Sequence, residues 1–482
     1  MLRPYYEHMN PQNLLAIAAG KAALTLARGL RLGGGTNMPG VVARRIAPAI
    51  LRDLAAALPE GVVLVSGTNG KTTTTRMIAE ILRKGGSRIL HNRAGANLIS
   101  GITATAVADT GWRGQQQADI GLFETDEAAL PQALSETRPR LILIHNLFRD
   151  QLDRYGEVDT LAGKWRAALA NLPATSTVVL NADDPAVADL GTGLAAQVLY
   201  YGLDDPRHAT GSAAHTADSQ FCRRCGQHYD YSLLFYAHIG HYVCPQCGHR
   251  RPDPQIRLAR LDLDGVASSR LYLTYPGGAL ELSLPLPGLY NALNALAASA
   301  VALSLGHPPA TIRAVLEQFS AAFGRIERLQ AGEGGAPMLI ALIKNPVGAS
   351  ETVRMLVSPQ SPTSITQIPT PALHTLIIIN DRYADGTDVS WLWDADFEQL
   401  TPHLAQATIS GTRGADMAVR LKYAGSPEAQ IQHVDGLPAA LDHALACLPA
   451  GQTLYILPTD TAMLELRDEL ARRGWVRHFW QE

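Results

Sequence analysis

The stretch "VVLVSGTNGKTTTTRM", Val62–Met77, places a glycine-bearing turn between an apolar run and a helical stretch. Backbone N–H groups in such a turn, together with the positive end of the helix dipole, bind phosphate. Lys71 is predicted to reach the β- and γ-phosphates of a nucleotide and Thr72 to hold Mg²⁺, although Val65 replaces the first glycine of the strict motif. The predicted nucleotide-binding residues of this turn are Gly67, Thr68, Asn69, Gly70, Lys71, Thr72 and Thr73.

Apolar runs typical of buried strands alternate with helical stretches on both sides of this turn. "GVVLVSG", "ADIGLFE", "RLILIHN" and "STVVLNA" form one set, and "MLIALIKN", "HTLIIIN" and "TLYILP" form a second. Such alternation predicts an α/β protein with parallel sheets. We expect a helical and loop segment at 1–50 that packs on a central ATP-binding domain at 51–325, and a C-terminal α/β domain at 326–482.

The bulk composition indicates a soluble globular protein. The 482 residues are 46% hydrophobic and 18% charged, and their net charge of -3 argues against a nucleic-acid surface. The length favours two or three domains. Near the N-terminus, "NLLAIAAGKAALTLARGL" carries Lys21 and Arg28 and lacks a cleavage site, which predicts an amphipathic helix of a cytoplasmic protein. Peripheral contact with the inner face of the membrane stays open.

Four of the five cysteines form two CxxC pairs within an insertion at about 205–255. Cys222, Cys225, Cys244 and Cys247 have the spacing of a four-thiolate Zn²⁺ site. Four thiolates complete the coordination shell, so the predicted zinc is structural; a redox role is the alternative. The fifth, Cys447, lies in an apolar helical stretch, where a buried structural thiol is expected, although His443 could face the same side.

Several motifs in order resemble the Mur ligase and folylpolyglutamate synthase superfamily. They are "SGTNGKTTT", "NRAGANL", "LFETDEA", "LNADDP", "GLYNALNALAA" and "FGRIER". The resemblance implies activation of a carboxylate by ATP as an acyl phosphate. It also implies that Glu124 holds Mg²⁺, and that Asn291, Asn294 and Arg325 bind the nucleotide. Lys164 lies near the position of the family's carbamylated lysine, with a solvated helix lysine as the alternative.

The chain departs from the superfamily at two motifs. "NLFRDQLDRYGE" has Asp150-Gln151 where Mur ligases carry Asp-His, which removes an imidazole metal ligand. "ALIKNPVG" has Ala341 and Lys344 where relatives carry Asp and His. The usual addition of an amino acid is therefore expected to be altered, and Lys344 is a candidate catalytic residue beside the acyl phosphate.

The cysteine insertion, "KNPVG" and "NDRYADGTDVSWLWD" together resemble the MurT family, the Mur-ligase-like subunits of lipid II isoglutaminyl synthase. The resemblance implies amidation of the D-glutamate α-carboxylate in the lipid II stem peptide to D-isoglutamine. It also implies a heterodimer with a GatD-like glutamine amidotransferase, which supplies ammonia and takes the third member of its catalytic triad from this chain.

The acidic cluster after "HTLIIIN" is predicted to supply that triad member. Asp388 is the first candidate and Asp385 the second, and the alternative for either is an Asx-turn that closes a loop. Trp391 and Trp393 are expected either to pack internally or to anchor the partner.

Two other functions remain as alternatives. One is an amino-acid-adding Mur or folylpolyglutamate ligase, which the changes at Gln151, Ala341 and Lys344 oppose. The other is a zinc-ribbon NTPase that binds nucleic acid, which would need a basic aromatic face that the acidic composition does not favour.

Overall fold

The structure is a computed structural model that describes residues 10–29, 37–92, 95–149, 158–210, 218–320, 326–357 and 372–476. Asp150, Gln151 and Arg325 lie outside these ranges, so the predictions for them concern residues that are not described.

A nine-stranded sheet forms the first layered unit, with the order β11-β10-β9-β6-β5-β4-β1-β3-β2. Its strands are β1 (Val62–Ser66), β2 (Ile89–His91), β3 (Ile120–Glu124), β4 (Leu141–Ile144), β5 (Thr177–Asn181), β6 (Gln197–Leu203), β9 (Ile256–Asp264), β10 (Ser268–Tyr275) and β11 (Gly278–Leu284). Within this sheet the strands β2, β3, β1, β4, β5, β6 and β9 run parallel to one another. β1 and β3 are buried at every position, as expected of parallel strands that are covered on both faces.

The last two strands of this sheet are antiparallel and were not anticipated by the sequence analysis. β10 pairs with β9 and with β11 in antiparallel register, and the β10–β11 turn contains Gly277 with a φ of 106°. Alternating apolar residues such as Leu271, Leu273, Leu280 and Leu282 are buried against the core. This extension widens the parallel sheet without changing the α/β class, which is confirmed.

Helices cover both faces of the large sheet. They are α1 (Pro11–Gly29), α2 (Met38–Ile46), α3 (Ile50–Ala56), α4 (Lys71–Lys84), α5 (Ile99–Asp109), α6 (Leu130–Thr137), α7 (Val158–Leu169), α8 (Pro185–Asp189), α9 (Leu289–Ser304) and α10 (Pro309–Leu316). α4 and α9 pack against each other, and α1 packs on α2 and α5. Within the described ranges, none of the helices combines the length and apolar character needed to cross a membrane.

The cysteine insertion, residues 218–255, contains the antiparallel hairpin of β7 (Asp230–Tyr236) and β8 (Ile239–Val243). Its tip is buried in the central unit, where Phe235, His238 and Ile239 are 0% exposed. The ring of His238 lies 4.7 Å from that of Phe148, centroid to centroid. The hairpin is therefore anchored in the core rather than displayed on the surface.

A six-stranded sheet with the order β12-β13-β17-β14-β15-β16 forms the C-terminal unit. Its elements are β12 (Ile326–Gln330), β13 (Pro337–Ala341), α11 (Pro346–Val357), β14 (Leu373–Ile378), β15 (Leu404–Ser410), α12 (Gly414–Tyr423), β16 (Ile431–His433), α13 (Leu437–Ala446), β17 (Leu454–Pro458) and α14 (Asp460–Arg472). Only β12 among these described strands is antiparallel to its neighbour. The predicted second α/β unit is thus present.

Candidate active site

The turn between β1 and α4, from Gly67 to Lys71, adopts a conformation that depends on glycine, and we refer to it as the P-loop. Gly67 has a φ of 136° and Gly70 a φ of 83°, a region that other residues rarely adopt. A Cβ atom on Gly70 would also lie 2.1 Å from Oδ1 of Asn294. Glycine at position 70 therefore permits both the turn and the close approach of α9.

Lys71 begins α4 and is buried beneath the turn. Its Nζ donates to the carbonyls of Gly67 and Thr68, at 2.5 and 3.2 Å, and forms an ion pair with the Glu127 carboxylate at 2.7 Å. The ammonium group is therefore held at the turn where phosphate is predicted to bind. Glu127 was not predicted as part of the site, although it stands three positions after Glu124 in the quoted "LFETDEA".

Glu124 ends β3 directly beside the P-loop strand, because Val65 pairs with Glu124 in the β1–β3 register. The Asn92 side chain fixes its backbone by accepting from the Glu124 N–H at 2.9 Å and donating to its carbonyl at 2.8 Å. Thr72 lies in the first turn of α4. A buried carboxylate and a hydroxyl at one edge of the sheet provide the oxygen donors that Mg²⁺ prefers, so this donor set fits the ion.

A buried histidine connects β4 to α9. His145 Nε2 donates to Oδ1 of Asn294 at 2.8 Å, and its Nδ1 accepts from the Tyr201 hydroxyl. Burial lowers the pKa of His145 to about 4, so the ring is neutral. The next residue, Asn146, accepts from the Asn69 N–H at 2.8 Å. Neither residue was predicted as part of the site, although both stand in the quoted "RLILIHN".

Of the two predicted asparagines on α9, Asn294 faces the P-loop and Asn291 supports the helix. Asn291 Nδ2 donates to the Pro287 carbonyl at 2.7 Å. Its Oδ1 accepts from Asn294 at 3.5 Å. The structure therefore brings Asn294 directly to the P-loop and places Asn291 behind it.

A cavity between the central and C-terminal units adjoins the P-loop. We refer to it as the interdomain cavity; among its lining residues are Asn69, Tyr236, Tyr290, Asn294, Lys344 and Glu351. Asn345 Nδ2 donates across the units to Oδ1 of Asn69 at 2.9 Å. The predicted Lys344 thus lies in the same cavity as the predicted nucleotide-binding residues Asn69, Gly70, Thr73 and Asn294.

The four cysteines of the insertion converge on one point. Their sulfur atoms all lie within 4.8 Å of one another. The Sγ atoms of Cys222 and Cys247 are 3.5 Å apart, and those of Cys225 and Cys244 are 3.4 Å apart. Gly226 and Gly248 follow the two pairs with φ values of 76° and 72°. Four clustered thiols without a disulfide fit a tetrahedral Zn²⁺ ion.

Asp385 and Asp388 have different surroundings. The buried Asp385 carboxylate accepts from the N–H and the hydroxyl of Thr461, at 2.7 and 2.5 Å, at the start of α14. Asp388 is exposed and accepts from the Ser390 N–H at 2.8 Å, an Asx-turn that lowers its pKa. The structure therefore presents Asp388 at the surface and commits Asp385 to a helix start.

The two tryptophans of this cluster also differ. Trp391 belongs to the C-terminal core, whereas Trp393 is 52% exposed. Trp393 packs edge to face on Tyr423, which is 75% exposed, with centroids 5.6 Å apart. Trp391 is therefore a packing residue, and Trp393 belongs to a surface aromatic pair.

The other two predicted residues, Lys164 and Cys447, lie in different units of the chain. Lys164 is exposed on α7, as its solvated-lysine alternative requires. Cys447 is half-buried rather than fully buried, because it follows the last residue of α13 near the surface, and its Sγ lies 3.7 Å from Nε2 of His443. The other ring nitrogen of His443 contacts the Thr408 hydroxyl and not a carboxylate.

Comparison with protein families divides the chain into two matched regions. Residues 65–238 match the Mur ligase middle domain, and residues 342–463 match the MurT ligase C-terminal domain. The first contains the P-loop and the second contains Lys344 and both candidate aspartates.

Solved structures with the same fold include a pseudomurein peptide ligase type C from Methanothermus fervidus. It is 19% identical, with a TM-score of 0.62 over 85% of this chain and 78% of that one. Mycobacterium tuberculosis folylpolyglutamate synthase, solved with ADP and AMPPCP, has a TM-score of 0.58 at 15% identity over 95% of each chain. At these identities the likeness concerns the fold.

Sequence relatives extend over nearly the whole chain. The MurT subunit of lipid II isoglutaminyl synthase from Streptococcus pneumoniae (strain ATCC BAA-255 / R6) is 35% identical over 97% of this chain and 99% of the relative. The MurT subunit from Staphylococcus aureus (strain COL) is 33% identical over 81% and 83%. The predicted resemblance is confirmed, and the chain belongs to the MurT family of Mur-ligase-type subunits.

Proposed function

We propose that the chain is the synthetase subunit of a glutamine-hydrolysing lipid II isoglutaminyl synthase. It amidates the D-glutamate α-carboxylate of the lipid II stem peptide with ATP and ammonia. The observation that carries the proposal is the 35% sequence identity with the Streptococcus pneumoniae MurT subunit over 97% of this chain. That similarity favours amidation over the addition of an amino acid and over nucleic-acid binding.

The P-loop side of the site supports use of Mg–ATP. The turn from Gly67 to Thr73 would receive the phosphates, and Thr72 and Glu124 would hold Mg²⁺. Lys71 would exchange its 2.7 Å ion pair with Glu127 for the β- and γ-phosphates. Asn291, Asn294 and Arg325 complete the proposed nucleotide-binding set. When bound, Mg–ATP supplies the γ-phosphoryl group.

The reaction then needs two displacements. The substrate carboxylate attacks the γ-phosphorus, which gives an acyl phosphate and releases ADP. Ammonia attacks the acyl carbon, phosphate leaves, and the product is a primary amide. Lys344 lies in the interdomain cavity beside the P-loop, where its ammonium group would stabilise the negative charge of the acyl phosphate.

Ammonia is proposed to come from a GatD-like glutamine amidotransferase in a heterodimer. Such an enzyme needs a thiolate, a histidine base and a group that orients the histidine. Exposed Asp388 would orient the partner's histidine, and the aromatic pair of Trp393 and Tyr423 would contact the partner. Asp385 is the weaker candidate, because its carboxylate already accepts from Thr461.

The cysteine cluster is proposed to hold a structural Zn²⁺ ion. Two of the cysteines, Cys222 and Cys244, are buried, and the hairpin between the two CxxC pairs enters the central core. Bound metal would therefore stabilise the hairpin rather than take part in phosphoryl transfer.

Mass spectrometry of lipid II tests the proposed function. Lipid II is incubated with the purified chain, Mg–ATP and ammonium chloride, with and without the GatD-like partner, and with Lys71→Met as the inactive control. We expect an ATP-dependent loss of about one mass unit, because a hydroxyl is replaced by an amino group. An unchanged mass in the presence of the partner, or a gain equal to an amino-acid residue, would contradict the proposal.

A further inference from the structure

Three arginine side chains meet in a surface pocket that is separate from the interdomain cavity. The pocket has a volume of about 340 Å³ and lies between the first cysteine pair of the insertion, α7 and the end of α8. We refer to it as the arginine pocket. Three guanidinium groups and two carboxylates give it a net positive charge. Its charged lining residues are Arg166, Arg223, Arg224, Asp159 and Asp189.

One buried carboxylate serves several of the cationic groups. Asp189 is 6% exposed, and it accepts from Nη2 of Arg166 and, at 3.4 Å, from the Thr192 hydroxyl. Nε of Arg224 lies 3.9 Å from the same carboxylate, beyond hydrogen-bond distance. Asp189 therefore orients Arg166, but a single carboxylate does not neutralise both guanidinium groups.

Arg223 is held only weakly by the chain itself. Its Nη1 pairs at 2.8 Å with the carboxylate of Asp159, whose side chain is 79% exposed, whereas that of Arg223 is 16% exposed. An ion pair with so exposed a carboxylate contributes little to stability, so a stronger anion can replace Asp159. Nε of Arg223 is buried and has no hydrogen-bond partner among the residues that the structure describes. Because buried polar groups are ordinarily paired, this N–H group favours an acceptor from outside the chain.

Helix α7 connects the arginine pocket to the P-loop. Trp165, next to Arg166 on this helix, is buried, and its Nε1 donates to the Glu127 carbonyl at 2.9 Å. The Glu127 carboxylate in turn forms an ion pair with Lys71 at 2.7 Å. α7 and α8 follow β4 and β5, whose carboxyl ends lie at the edge of the sheet that also carries the P-loop. Ligands of α/β proteins bind at this edge, so a molecule held in the arginine pocket can extend towards the P-loop.

The side chains of the pocket select a particular kind of anion. Arginine binds phosphate oxygens through two parallel N–H groups, and several arginines suit an anion with more than one negative charge. Lipid II carries such a group, because a diphosphate joins its sugar to its lipid chain. We propose that the arginine pocket binds the diphosphate of the lipid-linked substrate, and that Arg223 exchanges Asp159 for a diphosphate oxygen. The inference rests on the proposed function only in taking lipid II as the substrate.

Binding of lipid II to the full chain tests the proposal without any need for turnover. Dissociation constants are measured for lipid II in detergent micelles and for a soluble N-acetylmuramoyl pentapeptide that lacks the diphosphate and the lipid. The variant carries Arg223→Gln and Arg224→Gln, which leave the pair of Arg166 with buried Asp189 intact. We expect the variant to bind lipid II at least about tenfold more weakly, in line with the loss of hydrogen bonds from charged groups. Its affinity for the soluble pentapeptide should change by less than about twofold, because that molecule has no diphosphate.

Arg250 provides the matched control, because it is an exposed arginine beside the second cysteine pair and does not line the pocket. Arg250→Gln should bind lipid II as the wild type does. The zinc content of each variant is measured, since Arg223 and Arg224 lie between two of the clustered cysteines. Equal weakening of both ligands by the double variant would indicate a structural role and overturn the proposal. Unchanged affinity for lipid II at full zinc content would overturn it as well.

Inorganic pyrophosphate distinguishes the lipid diphosphate from a free phosphate as the ligand. The P-loop is first saturated with Mg–AMPPCP, so that added pyrophosphate does not act there. Pyrophosphate should then weaken the binding of lipid II to the wild type and have no effect on the double variant. If the variant loses affinity for pyrophosphate but binds lipid II as the wild type does, the pocket takes a free phosphate and the assignment to the lipid is overturned.

The binding assays are independent of amidation. A wild type that binds lipid II through the arginine pocket but produces no amide would contradict only the proposed function. Amidation by a double variant with unchanged affinity for lipid II would contradict only the proposed diphosphate site. The two proposals therefore fail separately.

Discussion

Asp385 and Asp388 stand three positions apart, yet their hydrogen bonds give them different roles. Asp385 accepts from Thr461 and from the Arg382 N–H at 3.2 Å, whereas exposed Asp388 accepts from Ser390. We expect Asp388→Asn to abolish glutamine-driven amidation by the complex while ammonium-driven amidation and complex formation persist. The reason is that an amide cannot stabilise the imidazolium cation of the partner.

Asp385→Asn is the matched comparison at the same loop. It should lower the free energy of unfolding by about 1–3 kcal/mol, because it replaces a charged acceptor of two Thr461 donors. Product analysis with each nitrogen source, together with chemical denaturation, measures both variants. Undiminished glutamine-driven turnover of Asp388→Asn would remove that residue from the partner's triad.

His145 makes stability depend on pH. Its pKa is lowered to about 4 in the folded chain, chiefly by burial, from an ordinary value of 6.5. Between these values the unfolded chain binds a proton that the folded chain does not, so the free energy of unfolding falls as pH decreases. This loss is on the order of 3 kcal/mol at most.

Chemical denaturation of the wild type and of His145→Gln between pH 7 and about pH 4 measures this contribution. The variant should be less stable at pH 7 and should show a flatter pH dependence. His91, whose pKa burial also lowers to about 4, is present in both proteins and cancels in the comparison. Parallel pH profiles would contradict the assignment to His145.

Individual site residues could be predicted where the residues that act together adjoin in one local sequence motif. The P-loop glycines and Lys71 follow from a strand, a turn and a helix that adjoin in sequence. Glu127 and His145 do not, because their partners lie 56 and 149 positions away in the chain, and only the fold brings them together.

At the scale of elements, the parallel strands could be predicted because continuous apolar runs mark strands covered on both faces. The β9–β11 extension was missed, although the alternation in "SSRLYLTYPGGALELSL" and its Pro-Gly-Gly turn are signals of a hairpin. The cysteine spacing predicted that the four cysteines of the insertion cluster around one site. It did not indicate where the tip of the hairpin would pack.

That docking leads to a prediction for metal removal. One zinc ion per chain should be found by elemental analysis, and Cys222→Ser should lose it, because three remaining thiolates leave the shell incomplete. Amide hydrogen exchange in β7 and β8 should then accelerate. Cys447→Ser, which lies outside the cluster, is the control and should keep the metal. Full zinc content in Cys222→Ser would refute a site formed by these four thiols.

At the scale of the whole molecule, the interdomain cavity combines three units that are distant in sequence. The P-loop, the cysteine insertion and α11 each contribute to its wall. These units are joined by hydrogen bonds such as those of Asn345 with Asn69 and of Arg354 with Phe235, which no local sequence pattern predicts. The sequence therefore predicted the units and their chemistry, whereas the shared cavity had to be seen in the structure.

The outer surface of α1 is proposed to make peripheral contact with the membrane, because the proposed substrate is a lipid. Leu15 and Leu26 are 61% and 65% exposed, and they lie three turns apart on one face of the helix. The sequence of α1 contains Lys21 and Arg28 and no acidic residue. Exposed apolar side chains on a basic helix favour an anionic lipid surface.

We expect the double substitution Leu15→Ser and Leu26→Ser to weaken binding to anionic vesicles by at least about tenfold, because two leucines no longer enter the bilayer interface. Co-sedimentation with phosphatidylglycerol vesicles measures the effect. Leu464→Ser, at a 45% exposed leucine of α14, provides the matched control and should bind as the wild type does. Since both leucines point away from the core, thermal stability should stay unchanged. Equal vesicle binding by the double variant and the wild type would place the membrane contact elsewhere or exclude it.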